Sequence, residues 1–377
     1  MTRRPAVGAT VDDLRAALNV IAPFQYAAEW DNVGLLAGRP EWPVRRALLA
    51  IDLTDAVARE ALRKQAGALV LYHPPIFKGI RALTPEADGP TELLPDSLAA
   101  RVALLAVHTA LDAAPGGTND VLLDFLPVGA RRPLEPQVER GKTYKLVVFV
   151  PPAEVAGLRR ALTAEGAGVI GHYSECSFEL AGQGTFRGDA TTSPTIGRPL
   201  ELERVDEIRL EMVVPAGRLG AVVRKLYAAH TYEEPAFDLY PVDELPGRGA
   251  VGMGRVGKLA RPQRGDALLA ALASHVDLSN ALVVGDLRRR FRSVTAAAGA
   301  FGVRAFREPE SLVLTGEFKH HDALELLRRG VTAVHLGHYA SERPVLDVLR
   351  RRLAGLVAGA RFELARADRA PFARVRR

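Results

Sequence analysis

The sequence predicts an α/β protein: a discontinuous three-layer α/β core interrupted by an inserted ferredoxin-like α+β domain. Three observations predict this class. Short apolar runs without polar alternation lie toward both ends of the chain, each followed by a helical pattern, which is how strands covered on both faces read. Between Tyr144 and Val242 two similar halves each couple a strand to a helix. Pro- and Gly-rich stretches flank that middle region, PLEPQVERGK before it and ELPGRGAVGMG after it, and mark the crossings in and out.

Residues 47–54 (ALLAIDLT) form the first core strand, because the apolar run is unbroken until Asp52, and a helix follows from Asp55. Residues 67–73 (GALVLYH) form the next strand, a helix covers about 92–100, and residues 102–109 (VALLAVHT) form the third. The loop AAPGGTND after Asp112 turns on Gly116 and Gly117, and Asn119 or Asp120 caps the helix VLLDFL. In the middle region YKLVVFVPP leads into a helix to about Glu165, and IRLEMVVPA into a helix to about Ala229. With strands at 173–180 and 236–242 the order is β-α-β-β-α-β, a ferredoxin-like module. The core resumes with SLVLTGE (311–317), a helix from about Phe318, TAVHLGH (332–338) and a last helix after Ser341. The expected boundaries are 1–138 with 248–377 for the core and 142–245 for the insert.

Composition limits the classes of function. With 48% apolar and 25% charged residues the 377-residue chain reads as soluble and globular, with room for two domains. A net charge of +6 invites a nucleic-acid reading, but only seven of the basic residues are lysine and the arginines are scattered, apart from a basic tail from Arg361 to Arg377. A nucleic-acid surface gathers its charge on one face with aromatic platforms, so no nucleic-acid partner is expected. Cys176 is the single cysteine, which excludes an internal disulfide and any Cys-rich zinc module. The N-terminus lacks the apolar core of a signal peptide and no run approaches a membrane span, so a cytoplasmic protein is expected.

The chemistry concentrates in histidines. His108-Thr-Ala-Leu-Asp112 and His338-Tyr-Ala-Ser-Glu342 each place a carboxylate four residues after a histidine that closes an apolar strand. His73 ends a third such strand. A lone histidine in that position is usually structural. Three of nine, two with a carboxylate at the same offset, point to a shared metal site at the carboxyl edge of a sheet, where ligands of α/β proteins collect. Imidazole and carboxylate suit zinc, iron or manganese. Glu317 adds an acid on the same edge, and His320 and His321 follow on the first turn of a helix. No phosphate loop, dinucleotide fingerprint or nucleophile elbow occurs. Trp30-Asp31-Asn32 makes a turn, and Gly252-Met-Gly254 reads as linker.

Together these motifs resemble a known family. Trp30-Asp31-Asn32-Val33-Gly34, Tyr72-His73-Pro74-Pro75-Ile76-Phe77, His108 to Asp112, Gly116-Gly117-Thr118-Asn119-Asp120, Gly316-Glu317-Phe318-Lys319-His320-His321 and Gly337-His338-Tyr339-Ala340-Ser341-Glu342 look like the dinuclear-metal GTP cyclohydrolase 1 type 2 homologs. The middle module, with His230-Thr-Tyr-Glu-Glu-Pro-Ala-Phe-Asp238 and Gly252-Met-Gly254-Arg-Val-Gly257, resembles the PII-like insert of that family's longer bacterial members. The resemblance implies that His73, His108, Asp112, His338 and Glu342 hold two divalent metal ions (Zn, Fe or Mn), with a bridging carboxylate, in a homohexamer. Tyr72 departs from the pattern, since many members carry two adjacent histidines there, and this withdraws a ligand from one metal. Residues 296–306 also lack the expected Gly-Ser-rich loop.

The function so implied is metal-dependent hydrolysis, by activated water, of a nucleotide or another phosphorylated small molecule. Glu317 is the expected general base or supporting acid, and His321 or His320 orients substrate. The alternative is a non-enzymatic metal-binding or regulatory oligomer.

Overall fold

The computed structural model describes residues 8–80, 82–84, 92–137, 143–170, 173–242 and 250–373. Two compact units divide the chain: Met1–Gln137 with Gly247–Arg377, and Val138–Pro246.

The first unit begins with α1 (Val11–Ile21), whose N-cap Thr10 and Asp13 form a reciprocal capping box. It continues through β1 (Gly34–Ala37), β2 (Arg46–Ala50), α2 (Asp55–Arg63, capped by Thr54), β3 (Ala68–Leu71) and α3 (Leu94–Ala99). Next come β4 (Ala103–Ala106), α4 (His108–Ala113), α5 (Thr118–Asp124) and β5 (Val128–Pro136). Strand order in the first sheet is β1-β4-β3-β2, with a fifth strand beyond β2 contributed from the end of the chain. Strands β2, β3 and β4 run parallel and β1 antiparallel.

Why these runs lack polar alternation is visible in the core. Leu49, Val70 and Leu105 face one hydrophobic cluster with Leu14 and Leu18 of α1. Leu48, Leu69 and Leu104, one residue earlier on each strand, face another with Val57 and Ala61 of α2 and Leu94 of α3. Both faces are covered, so each residue of the strand is apolar, and burial of each leucine contributes about 1.5–3 kcal/mol.

The second unit contains β6 (Thr143–Val150), α6 (Val155–Ala164), β7 (Ser177–Phe186), β8 (Glu203–Pro215), α7 (Leu219–Ala229) and β9 (Phe237–Val242). Its antiparallel sheet has the order β7-β8-β6-β9, the ferredoxin-like arrangement of a β-α-β-β-α-β chain. Leu146, Val148, Leu210 and Met212 on one face pack against Leu158, Leu162, Val222 and Leu226 of the helices. The strand expected at 173–180 lies four residues later, as β7. It pairs with β8 from Ser177 to Phe186 but is mostly exposed, so its apolar pattern misplaces it.

The first unit resumes with β10 (Gly252–Arg264), α8 (Gly265–Leu272), β11 (Leu282–Val284), β12 (Arg290–Ala300), β13 (Ser311–Glu317) and α9 (His320–Arg328). It ends with β14 (Thr332–His335), α10 (His338–Glu342), α11 (Val345–Leu356) and β15 (Arg361–Leu364). Gly252 and Gly254, read above as linker, belong to β10. The second sheet has the order β11-β14-β13-β12-β10-β5, with β12, β13 and β14 parallel.

The two sheets repeat one plan. A helix, an antiparallel edge strand, three parallel strands and a short helix carrying histidine and carboxylate occur in the same order in each half, giving β1-β4-β3-β2 and β11-β14-β13-β12. Each half then sends its last strand to the other sheet: β15 pairs with β2, and β5 joins the second sheet through β10. Among the described residues no helix is long and apolar enough to cross a membrane.

Candidate metal centre

Successive strand ends of both sheets deliver the candidate residues. Asp52 follows β2, His73 follows β3 and His108 opens α4 after β4, while Glu317 ends β13 and His338 and Glu342 bound α10 after β14. His73, His338 and Glu342 each offer a donor atom within 4.8 Å of the others. The Nε2 atoms of His73 and His338 are 3.4 Å apart. Glu342 Oε2 lies 3.3 Å from His73 Nε2, and Oε1 lies 3.1 Å from His338 Nε2.

Each of the three histidines is oriented by a carboxylate. His73 Nδ1 lies 2.8 Å from Asp52 Oδ1, His108 Nδ1 lies 2.8 Å from Asp31 Oδ1, and His338 Nδ1 lies 3.3 Å from Glu317 Oε1. In the neutral tautomer Nδ1–H faces the carboxylate and Nε2 presents its lone pair to the centre, the arrangement that supports metal-bound imidazoles. Asp31 is further held by the Thr109 amide at 3.0 Å and by the Thr109 hydroxyl. His108 has φ +22°, an uncommon conformation for a side-chain-bearing residue, fixed by its N–H donating to the Tyr72 carbonyl at 3.0 Å.

Two glycines make room for Glu342. A Cβ on Gly299, at φ +65°, would fall 2.4 Å from Glu342 Oε1, and one on Gly316 would fall 2.4 Å from the Gly299 carbonyl. Gly299 N–H donates to Ser341 Oγ at 2.9 Å, and Ser341 Oγ–H donates to the His338 carbonyl at 2.7 Å. Asn119 links the halves: its amide donates to the Asp112 carbonyl at 3.2 Å and accepts from Ala298 N–H at 2.8 Å.

The electrostatics suit a cation. Glu342 is 3% exposed, and among the described residues its Oε2 has no aligned hydrogen-bond donor. Burial opposes its ionisation, yet His338 and His73 outweigh burial and hold it below the usual carboxylate range. Burial likewise opposes the His73 cation, but Asp52 and Glu342 push it up to about 10. His338 is raised chiefly by Glu342. Two imidazoles and one carboxylate crowded to this degree, with an unsatisfied buried oxygen among them, match the donor set of a divalent metal.

The other candidates lie at different ranges. His108 sits beside the cluster, its ring centroid 5.2 Å from that of His73. Asp112 is buried and its Oδ1 accepts from the Tyr72 hydroxyl. Burial pushes Asp112 up to about 6, and burial with the nearby Asp112 and Glu342 raises the Tyr72 phenol well above its ordinary value, so Tyr72 remains a donor. Thr118 Oγ1 lies 3.2 Å from the same phenol. Glu317 is spent on His338. His320 and His321 are exposed at the start of α9, ring against ring at 5.5 Å. Sequence reasoning missed Asp31, Asp52, Gly299, Ser341 and Arg255. Arg255, 2% exposed, donates to Asp120 Oδ2 (2.9 Å) and to the carbonyls of Gly252 (2.6 Å), Gly254 (2.8 Å), Ala113 and Ala114 (3.0 Å each), tying β10 to the loop after α4.

Fold and site define a mixed α/β protein with a histidine–carboxylate cluster suited to a metal where two repeated sheets meet. Residues 9–370 match the model of the Duf34/NIF3 (NGG1p interacting factor 3) family, and the chain belongs to it. A protein of Halalkalibacterium halodurans named GTP cyclohydrolase 1 type 2 homolog is 33% identical over 347 residues, 91% of each chain. One of the same name from Mycobacterium leprae is 33% identical over 358 residues, again 91% of each. A crystal structure of a Bacillus cereus protein related to NIF3 superposes with a TM-score of 0.74 at 28% identity, covering 97% of this chain and 99% of that one. A Staphylococcus aureus structure at 24% identity shares the fold, with a TM-score of 0.76 and coverage of 98% and 100%.

Proposed function

We propose that the protein is a metal-dependent hydrolase that acts on a nucleotide or another phosphorylated small molecule. The observation that carries the reading is the convergence of His73 and His338, each oriented by its own carboxylate, on the buried and unsatisfied Glu342. His73, His338 and Glu342 would hold one divalent ion; His108 and Asp112, beside Tyr72, would complete a second. A divalent ion held there would lower the pKa of water and so make hydroxide available at neutral pH. Asp52, Asp31 and Glu317 would hold the three imidazoles through Nδ1 and aim Nε2 inward, where a metal would take the place of the Nε2 proton. Glu317, the acid nearest the rim at 47% side-chain exposure, would steady His338 through Nδ1.

Trp30 (62% exposed) and Phe77 (50% exposed) stand 5.8 Å apart and flank His108 at 5.9 and 6.2 Å. Exposed rings beside the centre offer a stacking surface to a planar base, which favours a nucleotide among phosphorylated substrates. The name shared by the relatives from Halalkalibacterium halodurans and Mycobacterium leprae agrees with that class.

Metal analysis of purified protein, paired with a nucleotide-hydrolysis screen, tests the proposal. The expected outcome is about two ions per chain, with turnover abolished and metal content reduced in Glu342→Ala. In Tyr72→His the second ion should bind more tightly, because an imidazole replaces a phenol that ties up Asp112. Metal-loaded protein that turns over no nucleotide would support instead a metal-binding oligomer, and metal below one per chain would overturn the site itself.

A further inference from the structure

The ferredoxin-like unit contains a cavity of about 420 Å³, within the size range of metabolite sites. Phe149, Phe186, Pro194 and Ile196 supply apolar walls, and Glu207 and Tyr232 are among its polar groups. Glu207 is only 9% exposed, and no cation pairs with it among the described residues. The Tyr232 hydroxyl is buried beside Glu207 and has no aligned hydrogen-bond partner among the described residues. Burial, with Glu207 nearby, pushes that phenol up to about 12, so it stays neutral. A buried carboxylate without a counter-charge is costly unless something else supplies one.

The site is framed by the segment His230 to Asp238, which the metal centre does not use. His230 is buried; its Nδ1 accepts from the Tyr232 N–H at 3.0 Å, so Nε2–H donates to the Phe149 carbonyl at 2.9 Å. That pair of bonds sets Tyr232 against the wall formed by Phe149. The opposite wall is tied to the same segment: Ser193 N–H donates to Glu233 Oε1 at 3.0 Å, and Thr195 Oγ1–H donates to the Thr231 carbonyl at 2.8 Å. Gly184 on β7 is what lets Glu207 lie where it does, since a Cβ there would fall 2.1 Å from Glu207 Oε2. Glu233 and Glu234 add negative charge to the lining, against the single exposed cation Arg187.

We propose that this unit binds a small organic cation: an ammonium or amidinium group on an apolar body. The charge would sit on Glu207 and the Tyr232 oxygen, and the body against Phe149, Phe186 and Ile196. A carboxylate provides charge-assisted hydrogen bonds, and aromatic faces attract the same cation through their quadrupoles. No residue of this lining belongs to the candidate metal centre.

Calorimetric titration of the full-length protein with 2-phenylethylamine and with its neutral isostere 2-phenylethanol tests the assignment. The amine should bind saturably and at least about tenfold tighter than the alcohol. Glu207→Gln should abolish that preference, and Tyr232→Phe, which keeps the ring and the packing, should weaken the amine several-fold. Gly184→Ala should weaken it by displacing Glu207, while Glu342→Ala at the metal centre should leave it unchanged. Absence of saturable amine binding, equal affinity for the two probes, a preference retained in Glu207→Gln, or loss in Glu342→Ala would each overturn the proposal.

Discussion

Three carboxylates, Asp31, Asp52 and Glu317, decide which nitrogen of each histidine is available. Each lies against Nδ1, which leaves Nε2 as the nitrogen that would face a metal in all three cases. Removing one such support costs roughly 10–100-fold in metal affinity. Asp52→Asn keeps the size of the side chain but loses the charge, and chelator competition should show weaker metal binding of that order, with the far-UV spectrum unchanged. Unaltered affinity would mean that β3 alone fixes His73. The ligand candidates were legible in the sequence because His73, His108 and His338 terminate apolar runs. Their supports were not, because Asp31 lies 77 residues from His108 and Asp52 lies 21 from His73. Asp31 stands in the Trp30–Gly34 motif, but nothing there points to His108, and nothing local marks Asp52. Gly299 was hidden for another reason: its value is the space it leaves for a carboxylate 43 residues on in the chain, and a sequence shows no empty volume.

Elements are held in place by two charge networks, one buried and one partly buried. Arg255 satisfies its donors with Asp120 and four carbonyls, and so fixes the loop that follows α4. Arg255→Met leaves Asp120 and those carbonyls without it, and should lower stability by about 3–5 kcal/mol in urea unfolding. A loss under 1 kcal/mol would show that water replaces the guanidinium. The second network joins α2 to β15. Lys64 lies 2.9 Å from both Glu60 and Glu363, and Ala367 N–H donates to Glu60 at 2.7 Å. Burial opposes ionisation of Glu60, but the Ala367 amide and Lys64 outweigh it and hold the carboxyl below its usual range; Lys64 does the same for Glu363. A carboxyl lowered on folding stabilises above its unfolded pKa of about 4.3, and the contribution disappears as pH falls through the folded value. Glu60→Gln should therefore cost about 1–3 kcal/mol at pH 7. Its deficit relative to the wild type should shrink below about pH 4, and a constant deficit down to pH 3 would exclude the linkage. The apolar strands of both sheets were readable because both faces are buried. The exposed β7 was not, since pairing with a neighbour rather than burial defines it, and β10 was not because its buried first half is built of glycines and an arginine instead of an apolar run.

At the scale of the molecule, the reciprocal exchange of β5 and β15 binds the repeated halves of the first unit into one folding unit. Deleting residues 361–377 removes β15 from β2, with buried Phe362, and breaks the Asp368 contacts to Ile51 N–H (3.2 Å) and Arg343 (2.9 Å). The truncated chain should lose several kcal/mol, on the order of 3–5 from the phenylalanine alone, and should show a lowered, broadened melting transition in calorimetry. A second, unshifted transition would instead mean that the sheets melt independently. The last in-register rows of the two sheets are Ala50–Leu71–Ala106 and Ala297–Thr315–His335. Two residues beyond the first two columns stand Asp52 and His73 in one sheet and Gly299 and Glu317 in the other, while Tyr72 answers to Gly316. Two identical chains meeting on a twofold axis would have to place the same residue on each side of it. Tethered in one chain, the halves are free to differ: one fills its rim with an aspartate, a tyrosine and a histidine, and the other clears its rim with glycines to admit Glu342. The covalent link is thus what permits a lopsided site, with a side-chain-bearing rim on one side and a glycine rim filled by Glu342 on the other, in a fold whose plan is symmetric.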